Sequence, residues 1–134
     1  MHEFLEKSVE EIMNSRIWDL PIVERSASIK VVLVVLIGRC YAWVVNSMAD
    51  MKPVGIITEH DALKLIDGYK EGMKAEDIMS SRLTMASPDE KVRDVLEKMN
   101  SKGYRRIPVV ENERLVGEIT LRHLIERMYS SFFQ

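Results

Sequence analysis

The stretch that decides the fold is Val54-Gly55-Ile56-Ile57-Thr58, a short apolar run that contains a glycine and ends in a threonine. It returns 62 residues later as Val116-Gly117-Glu118-Ile119-Thr120. Each copy predicts a buried strand that runs directly into the N-terminus of a helix. A motif that returns within a short chain is the signature of an internal structural repeat.

Two further pairs of segments repeat in the same order. The segment Glu10–Arg16 (EEIMNSR) returns as Glu76–Arg82 (EDIMSSR), 66 residues further on. The pair Val44-Val45 returns as Val109-Val110, 65 residues further on. Since the spacing shrinks by only four residues across the chain, the sequence predicts two collinear copies, residues 1–72 and residues 73–134, joined as one module.

Composition is that of an ordinary folded chain. Of the 134 residues, 46% are hydrophobic and 30% are charged, which excludes disordered and low-complexity classes. The net charge of −2 argues against non-specific nucleic-acid binding. The single cysteine excludes an internal disulfide and favours a cytoplasmic location. Neither a membrane span nor a metal-ligand cluster is predicted.

The second copy gives the clearer order of elements. The pattern predicts a strand over Leu83–Ala86, a helix that begins at Pro88 behind Ser87 and ends at Gly103, and strands over Arg106–Val110 and Leu115–Ile119. A last helix then begins after Thr120. Each copy is therefore expected to be a β-α-β-β-α unit of an α/β protein.

The first copy is less regular. Its place in the repeat predicts a helix over Ser28–Arg39, although the β-branched interior favours a strand. A helix that is apolar on all faces is expected to be buried on several of them, including a contact between subunits. Strands follow over Tyr41–Val45 and Pro53–Ile57, and a helix begins at Thr58. The segment Ile17–Val23 cannot be placed from sequence.

The pair Thr58 and Asp61 is the most specific candidate for chemistry. Both residues are predicted to face the N-terminus of a helix, where a carboxylate beside a hydroxyl suits the paired hydroxyls of a ribose. The alternative is a capping box, because Thr-x-x-Asp closes a helix start without any ligand.

Together, these motifs resemble the tandem cystathionine-β-synthase (CBS) domain pair, or Bateman module. The resemblance rests on Pro53–Asp61, on Glu76–Met79, on Arg106–Val110 and on Leu115–Thr120, and it extends over nearly the whole chain. It implies two β-α-β-β-α repeats that pack sheet to sheet about a pseudo-two-fold axis, with clefts between them. It also implies an adenosine-containing ligand, namely AMP, ADP, ATP or S-adenosylmethionine.

The resemblance assigns a role to particular residues. Thr58 and Asp61 would hold the ribose. Three basic residues, Arg105, Arg106 and Arg122, would hold phosphates. Ile56, Leu83 and Thr84 would line the adenine. Ile57 and Thr120 complete the set of expected ligand-binding residues. The charge division agrees: residues 1–72 carry 8 basic and 11 acidic residues, and residues 73–134 carry 11 and 10. Without the resemblance, these arginines would be interpreted as surface residues.

Two positions depart from the family pattern. His123 stands where the second copy should have its aspartate, so a neutral imidazole there either accepts one hydrogen bond or lies at the surface. Trp43 stands where the second copy has Pro108, and its ring either stacks on a base or fills the core. A second ligand site is therefore less well supported than the first.

The resulting expectation is a non-catalytic sensor that needs no cofactor. A ligand would bias the packing of the repeats, and an unidentified protein partner would read the change in trans, since the chain leaves no room for an attached enzyme. A homodimer is expected. The alternative is a scaffold or dimerisation module with an empty cleft. An enzyme is disfavoured, because the sequence contains neither a nucleophile elbow nor a P-loop.

Overall fold

The structure is a computed structural model that describes residues 2–133. It is an α/β fold. Within the described residues there are five strands and seven helices; the strands are β1 (Ile22–Glu24), β2 (Tyr41–Val45), β3 (Pro53–Thr58), β4 (Arg106–Glu111) and β5 (Arg114–Thr120). The helices are α1 (His2–Glu6), α2 (Val9–Ile12), α3 (Ile29–Arg39), α4 (Lys64–Gly68), α5 (Ala75–Ile78), α6 (Val92–Lys102) and α7 (Leu121–Phe133).

The chain divides into two compact units whose limits differ from those of the sequence repeats. Asp19–Leu83 forms one unit, here called the first-repeat unit because it contains β1, β2 and β3. The residues up to Trp18 and those from Thr84 onward form the other, the second-repeat unit. Helices α1 and α2 therefore lie with the second repeat, and α5 lies with the first. The division of the repeats at residues 72 and 73 stays a prediction about the sequence.

In the first-repeat unit, β1 pairs parallel with β2, and β2 pairs antiparallel with β3. The segment that sequence could not place, Ile17–Val23, forms a 3₁₀ turn over Ile17–Asp19 and enters β1. Helix α3 packs on this sheet, and α5 adds Ala75 and Ile78 to their shared core. The other members of this core are Val23, Ile29, Val32, Leu36, Ala42, Val44 and Ile57. The order β-α-β-β-α is confirmed for this repeat, with a short last helix.

Helix α3 forms as predicted, against the propensity of its β-branched residues. The Ser28 hydroxyl accepts a hydrogen bond from the Val31 amide at 3.3 Å, and Cys40 ends the helix in the left-handed conformation with a φ of 72°. Only one face is buried. Val34 and Ile37, on the outer side, are 63% and 85% exposed, so the expectation of burial on several faces is not met within this chain.

The second-repeat unit is built on the antiparallel pair β4–β5. Asn112 and Glu113 form the tight turn between these strands, with φ values of 52° and 64°. Helices α6 and α7 and the two N-terminal helices bury a core with this sheet, made of Phe4, Val9, Ile12, Ala86, Val92, Val95, Met99, Ile107, Val109, Ile119 and Leu124. Gly103 ends α6 at a φ of 71°, as predicted.

Three predicted boundaries are wrong. The expected strand Leu83–Ala86 is reduced to a single parallel bridge, in which the Ala86 amide donates to the Pro108 carbonyl at 3.0 Å. Helix α6 begins at Val92 and not at Pro88, because the Glu90 carboxylate closes a separate turn by accepting from the Ser87 amide at 2.7 Å. The helix expected from Thr58 begins as a 3₁₀ turn over His60–Leu63 before α4.

Among residues 2–133, no helix is both long enough and apolar enough to cross a membrane.

Candidate functional site

Strand β3 is held in place along both of its edges. Strand β2 pairs with one edge, and on the other edge Ile56 and Ser80 exchange two backbone hydrogen bonds of 2.9 Å. Gly55 permits this approach, because a Cβ atom there would lie 2.8 Å from the Ser80 carbonyl oxygen and 2.6 Å from the Met79 sulfur. The end of β3, where Thr58 lies, is therefore fixed by backbone pairing on two sides.

The same contact occurs in the second-repeat unit. Asn14 and Glu118 exchange backbone hydrogen bonds of 2.9 and 3.1 Å, and a Cβ atom on Gly117 would lie 2.7 Å from the Asn14 carbonyl oxygen. Asn14 lies in the segment Glu10–Arg16, and Ser80 lies in its repeat Glu76–Arg82. The two motifs that reveal the repeat in sequence are thus the two sides of one recurring backbone contact.

Thr58 and Asp61 come together directly after β3. The Asp61 carboxylate accepts from the Thr58 amide at 2.9 Å and lies 3.3 Å from the Thr58 hydroxyl. Both residues are half-buried, with 13% of the Asp61 side chain exposed. The bond from the Thr58 amide is one half of a capping box, and the arrangement also holds a carboxylate next to a hydroxyl in a partly shielded place. Both interpretations from sequence therefore share one arrangement.

Lys64 is a member of this site that sequence reasoning missed. Its ammonium group lies 3.5 Å from the second Asp61 oxygen and donates to the Ile78 carbonyl oxygen at 3.0 Å. The signal was present, because Asp61 and Lys64 are three residues apart, the spacing at which helical side chains meet. Lys64 adds a positive charge beside the one carboxylate that is expected to bind hydroxyl groups.

Ile56 and Ile57 fall on different faces of β3, since successive side chains of a strand alternate. Ile56 is half-buried, as is Thr58, whereas Ile57 is fully buried in the core with α3. The Ile57 side chain is thereby removed from the face that carries Thr58. A core role replaces the expected ligand role for this residue.

The second repeat carries different chemistry at the equivalent positions. The Thr120 hydroxyl accepts from the His123 amide at 3.0 Å, and no carboxylate stands where Asp61 stands in the first repeat. Burial lowers the pKa of His123, and the positive charge of Arg127 acts in the same direction, against weaker opposite effects of two glutamates. A half-buried His123 is thus neutral near pH 7. Glu118, in the position of Ile56, is 4% exposed.

The predicted phosphate ligands differ in their surroundings. Arg106 begins β4 opposite Thr120 and is half-buried. Arg105 is exposed, and its carbonyl accepts from the Leu121 amide at 2.8 Å, which ties it to the start of α7. The Arg122 side chain is 91% exposed and lies 3.8 Å from the Glu126 carboxylate, the arrangement of a surface ion pair.

Of the residues expected at the base, Leu83 and Thr84 are both half-buried. The Lys102 ammonium lies 3.5 Å from the Thr84 hydroxyl, a neighbour that sequence gave no reason to expect. Trp43 is 1% exposed and meets the Tyr41 ring edge to face at 5.9 Å, which favours the packing role for this residue. Among residues 2–133, no cluster of three or more His, Cys, Asp or Glu could hold a metal ion.

Two segments of the chain, residues 9–68 and 75–130, match the CBS domain, so the chain belongs to the CBS domain family and carries two copies of it. The expected family is confirmed, as is the α/β fold of two CBS repeats. CBS-pair proteins are generally regulatory, non-catalytic modules.

Solved structures agree with this assignment. The CBS domain pair of protein MJ0100, in complex with 5′-methylthioadenosine and S-adenosyl-L-methionine, is 30% identical to this chain. The match covers 92% of this chain and 99% of that one, with a TM-score of 0.71. CBSX2 in complex with AMP is 22% identical over 92% of this chain and 97% of that one, with a TM-score of 0.80, a likeness of fold.

Relatives known by sequence are longer proteins. The uncharacterized protein MJ1225 of Methanocaldococcus jannaschii is 35% identical over 80 residues, which make up 59% of this chain and 29% of that protein. The chain spans between 29% and 40% of the length of three such relatives.

Proposed function

We propose that this CBS pair is a regulatory module that binds an adenosine-containing small molecule through Thr58 and Asp61. The observation that carries the proposal is the placement of the Asp61 carboxylate 3.3 Å from the Thr58 hydroxyl, at the fixed end of β3. A carboxylate accepts hydrogen bonds from both hydroxyls of a ribose, and the threonine hydroxyl can donate or accept beside it. Ile56, on the same face, offers apolar contact to the base.

Similarity to MJ0100 supports the ligand class. That CBS pair was solved with two adenosine compounds, and it is the more similar in sequence of the two ligand-bound pairs described above. We therefore place S-adenosylmethionine and 5′-methylthioadenosine first among the candidate ligands, ahead of AMP, ADP and ATP. All of these compounds carry the 2′ and 3′ ribose hydroxyls that Thr58 and Asp61 would recognise.

The contribution of the second repeat comes from the family resemblance. Arg105, Arg106 and Arg122 would meet the phosphates of a nucleotide, and Leu83 and Thr84 would line the base. In this proposal the ligand selects one arrangement of the repeats, and a separate protein reads that arrangement in trans. No catalytic step is proposed, and the ligand is a signal and not a cofactor.

A stability titration tests the ligand class. We expect at least one of S-adenosylmethionine, 5′-methylthioadenosine, AMP, ADP and ATP to raise the free energy of unfolding, by about 2.7 kcal/mol at 100 times its dissociation constant. Thermal melting followed by tryptophan fluorescence measures the effect. If none of the five raises the melting temperature, the proposal fails and the scaffold function, with Thr58 and Asp61 acting only as a cap, replaces it.

We also propose that the protein is a homodimer that uses the outer face of α3. Val31, Val34 and Ile37 are 48%, 63% and 85% exposed, and few charged side chains interrupt the helix. An apolar helix face of this kind is stabilised when a second apolar surface covers it. A second copy brings the same face, and two-fold pairing of identical faces is the commonest form of assembly.

Ile37→Lys is expected to convert the dimer to a monomer, since it places a charge at the most exposed apolar residue of the proposed contact. The measurement is molar mass by light scattering after size-exclusion chromatography at micromolar concentration. Met48→Lys is the matched control, because Met48 is 51% exposed and lies in the β2–β3 connection. A wild-type chain that is monomeric, or an Ile37→Lys variant that stays dimeric, would contradict the proposal.

A further inference from the structure

A groove of about 240 Å³ opens in the second-repeat unit, beside the C-terminal half of α7. It is lined by Phe4, Lys7, Ile12, Arg127, Ser130 and Ser131. None of these residues belongs to the adenosine site proposed above. The lining combines two cations, two hydroxyl groups and two apolar side chains, a set that differs from the acidic and hydroxyl groups of the Thr58–Asp61 pair.

The floor of the groove is rigid. Phe4 and Ile12 are each 2% exposed and belong to the hydrophobic core of the unit. Core side chains of this kind occupy one packed arrangement, because neighbouring atoms surround them at close to crystalline density. The floor is therefore fixed, and the exposed side chains of Lys7, Arg127, Ser130 and Ser131 form the walls.

The two cations are attached to fixed backbone. The Lys7 amide donates to the Phe4 carbonyl at 3.2 Å, and its carbonyl accepts from the Val92 amide at 2.9 Å. The Arg127 guanidinium donates from Nη2 to the Glu11 carbonyl oxygen at 2.9 Å. This bond uses one donor, and a guanidinium has five, so Arg127 is oriented while it keeps donors for another acceptor.

Neighbouring carboxylates are engaged by other groups. The Glu11 carboxylate accepts from the Ser8 amide at 2.8 Å and from its hydroxyl at 3.2 Å, and these bonds lower the pKa of Glu11. The Glu6 carboxylate binds Lys91 and Arg93, each at 3.0 Å. Both carboxylates stay charged in these contacts, and Glu11 also attracts Lys7. The donors offered to an oxyanion are therefore the Lys7 ammonium and the guanidinium N–H groups that Arg127 does not use for Glu11.

We propose that this groove binds the oxyanion of a compact small molecule, a phosphate or a carboxylate. Charge-assisted hydrogen bonds from Lys7 and Arg127 would hold the oxyanion, and the hydroxyls of Ser130 and Ser131 would supply further donors. The groove volume suits a compact ligand, because pockets for drug-sized molecules are larger, roughly 300 to 1,000 Å³.

Nuclear magnetic resonance titration of the full chain tests this site, with inorganic phosphate and butyrate as probes. We expect saturable shifts of the amide signals of Lys7 and of Arg127–Ser131 with at least one probe. Stronger binding of phosphate would identify a phosphate ligand, and stronger binding of butyrate a carboxylate ligand. Both outcomes support the proposal, whereas shifts that do not saturate, or that spread over all basic residues, overturn it.

Variants separate the groove from general surface charge. Lys7→Gln and Arg127→Gln should each weaken binding about tenfold, equivalent to about 1.4 kcal/mol. Arg114→Gln is the control, because Arg114 is an exposed cation of the same unit, does not line the groove and has no role in the proposed adenosine site. Equal weakening in all three variants would overturn the proposal. Binding of S-adenosylmethionine should be unchanged by Lys7→Gln, so the two sites succeed or fail separately.

Discussion

Asp61→Asn should remove most of the stabilisation that an adenosine ligand gives to this protein. The substitution deletes the charge that the ribose hydroxyls would meet, and a hydrogen bond to a charged group contributes about 1.5–3 kcal/mol. The ligand would then bind about 10 to 100 times more weakly. At a concentration where the wild type gains about 2.7 kcal/mol, the variant should gain only about 0.4–1.4 kcal/mol.

The choice of asparagine separates binding from folding. The asparagine carbonyl still accepts from the Thr58 amide, so the unliganded variant should melt close to the wild type. Asp61→Ala loses that bond as well and should lower the stability of the free protein by about 1 kcal/mol. Melting with and without ligand measures both effects for each variant.

His123→Ala is the matched control, since His123 holds the equivalent position in the second repeat. It should leave the ligand-induced shift nearly unchanged if the first repeat carries the site. A full shift in Asp61→Asn would show that this carboxylate serves only as a helix cap. Loss of the shift in His123→Ala alone would transfer the site to the second repeat.

Gly55→Ala and Gly117→Ala should each destabilise the fold strongly. The added methyl group would lie 2.8 Å from the Ser80 carbonyl oxygen in the first case and 2.7 Å from the Asn14 carbonyl oxygen in the second. Backbone cannot turn aside as a side chain can, so the paired segment must move away and lose its two hydrogen bonds. Overpacking of this kind costs roughly 1–3 kcal/mol, and loss of the bonds adds to it.

Unfolding in urea measures both variants, and Gly38→Ala provides the comparison. Gly38 lies inside α3 with no atom within 4 Å of an added Cβ, so alanine should be neutral or should stabilise by up to about 1 kcal/mol. The Gly55 and Gly117 variants should fall well below it. If either variant matched Gly38→Ala, the close approach at that glycine would not limit stability.

Much of the fold could be predicted because the two copies inform each other. Local propensity alone would have assigned a strand to the β-branched run within α3, and only the position of that run in the repeat indicated a helix. The wrong helix boundary at Pro88 arose because the same local pattern can begin a helix or close a separate turn. Ser87 and Glu90 form a capping pattern, but their hydrogen bond closes a turn, and α6 begins four residues after Pro88.

For the candidate site, sequence identified the central pair and missed part of its surroundings. The spacing of Thr58 and Asp61 predicts their contact, because residues three apart meet at a helix start. Strand alternation places Ile57 on the buried face of β3, away from Thr58. The expected ligand role of Ile57 was based on the family resemblance alone. The spacing of Asp61 and Lys64 could have revealed their ion pair, whereas the bond from Lys64 to the Ile78 carbonyl depends on where α5 packs and has no local signal.

Helices α1 and α2 belong to the second-repeat unit, and α5 belongs to the first-repeat unit. This arrangement has a consequence for synthesis on the ribosome. Asp19–Leu83 is one continuous stretch, so this unit has all of its residues once Leu83 has emerged. Helices α1 and α2 are translated before that stretch, yet the residues with which they pack begin only at Thr84. The N-terminal helices must therefore wait, with Phe4, Val9 and Ile12 uncovered, until the last third of the chain has been made.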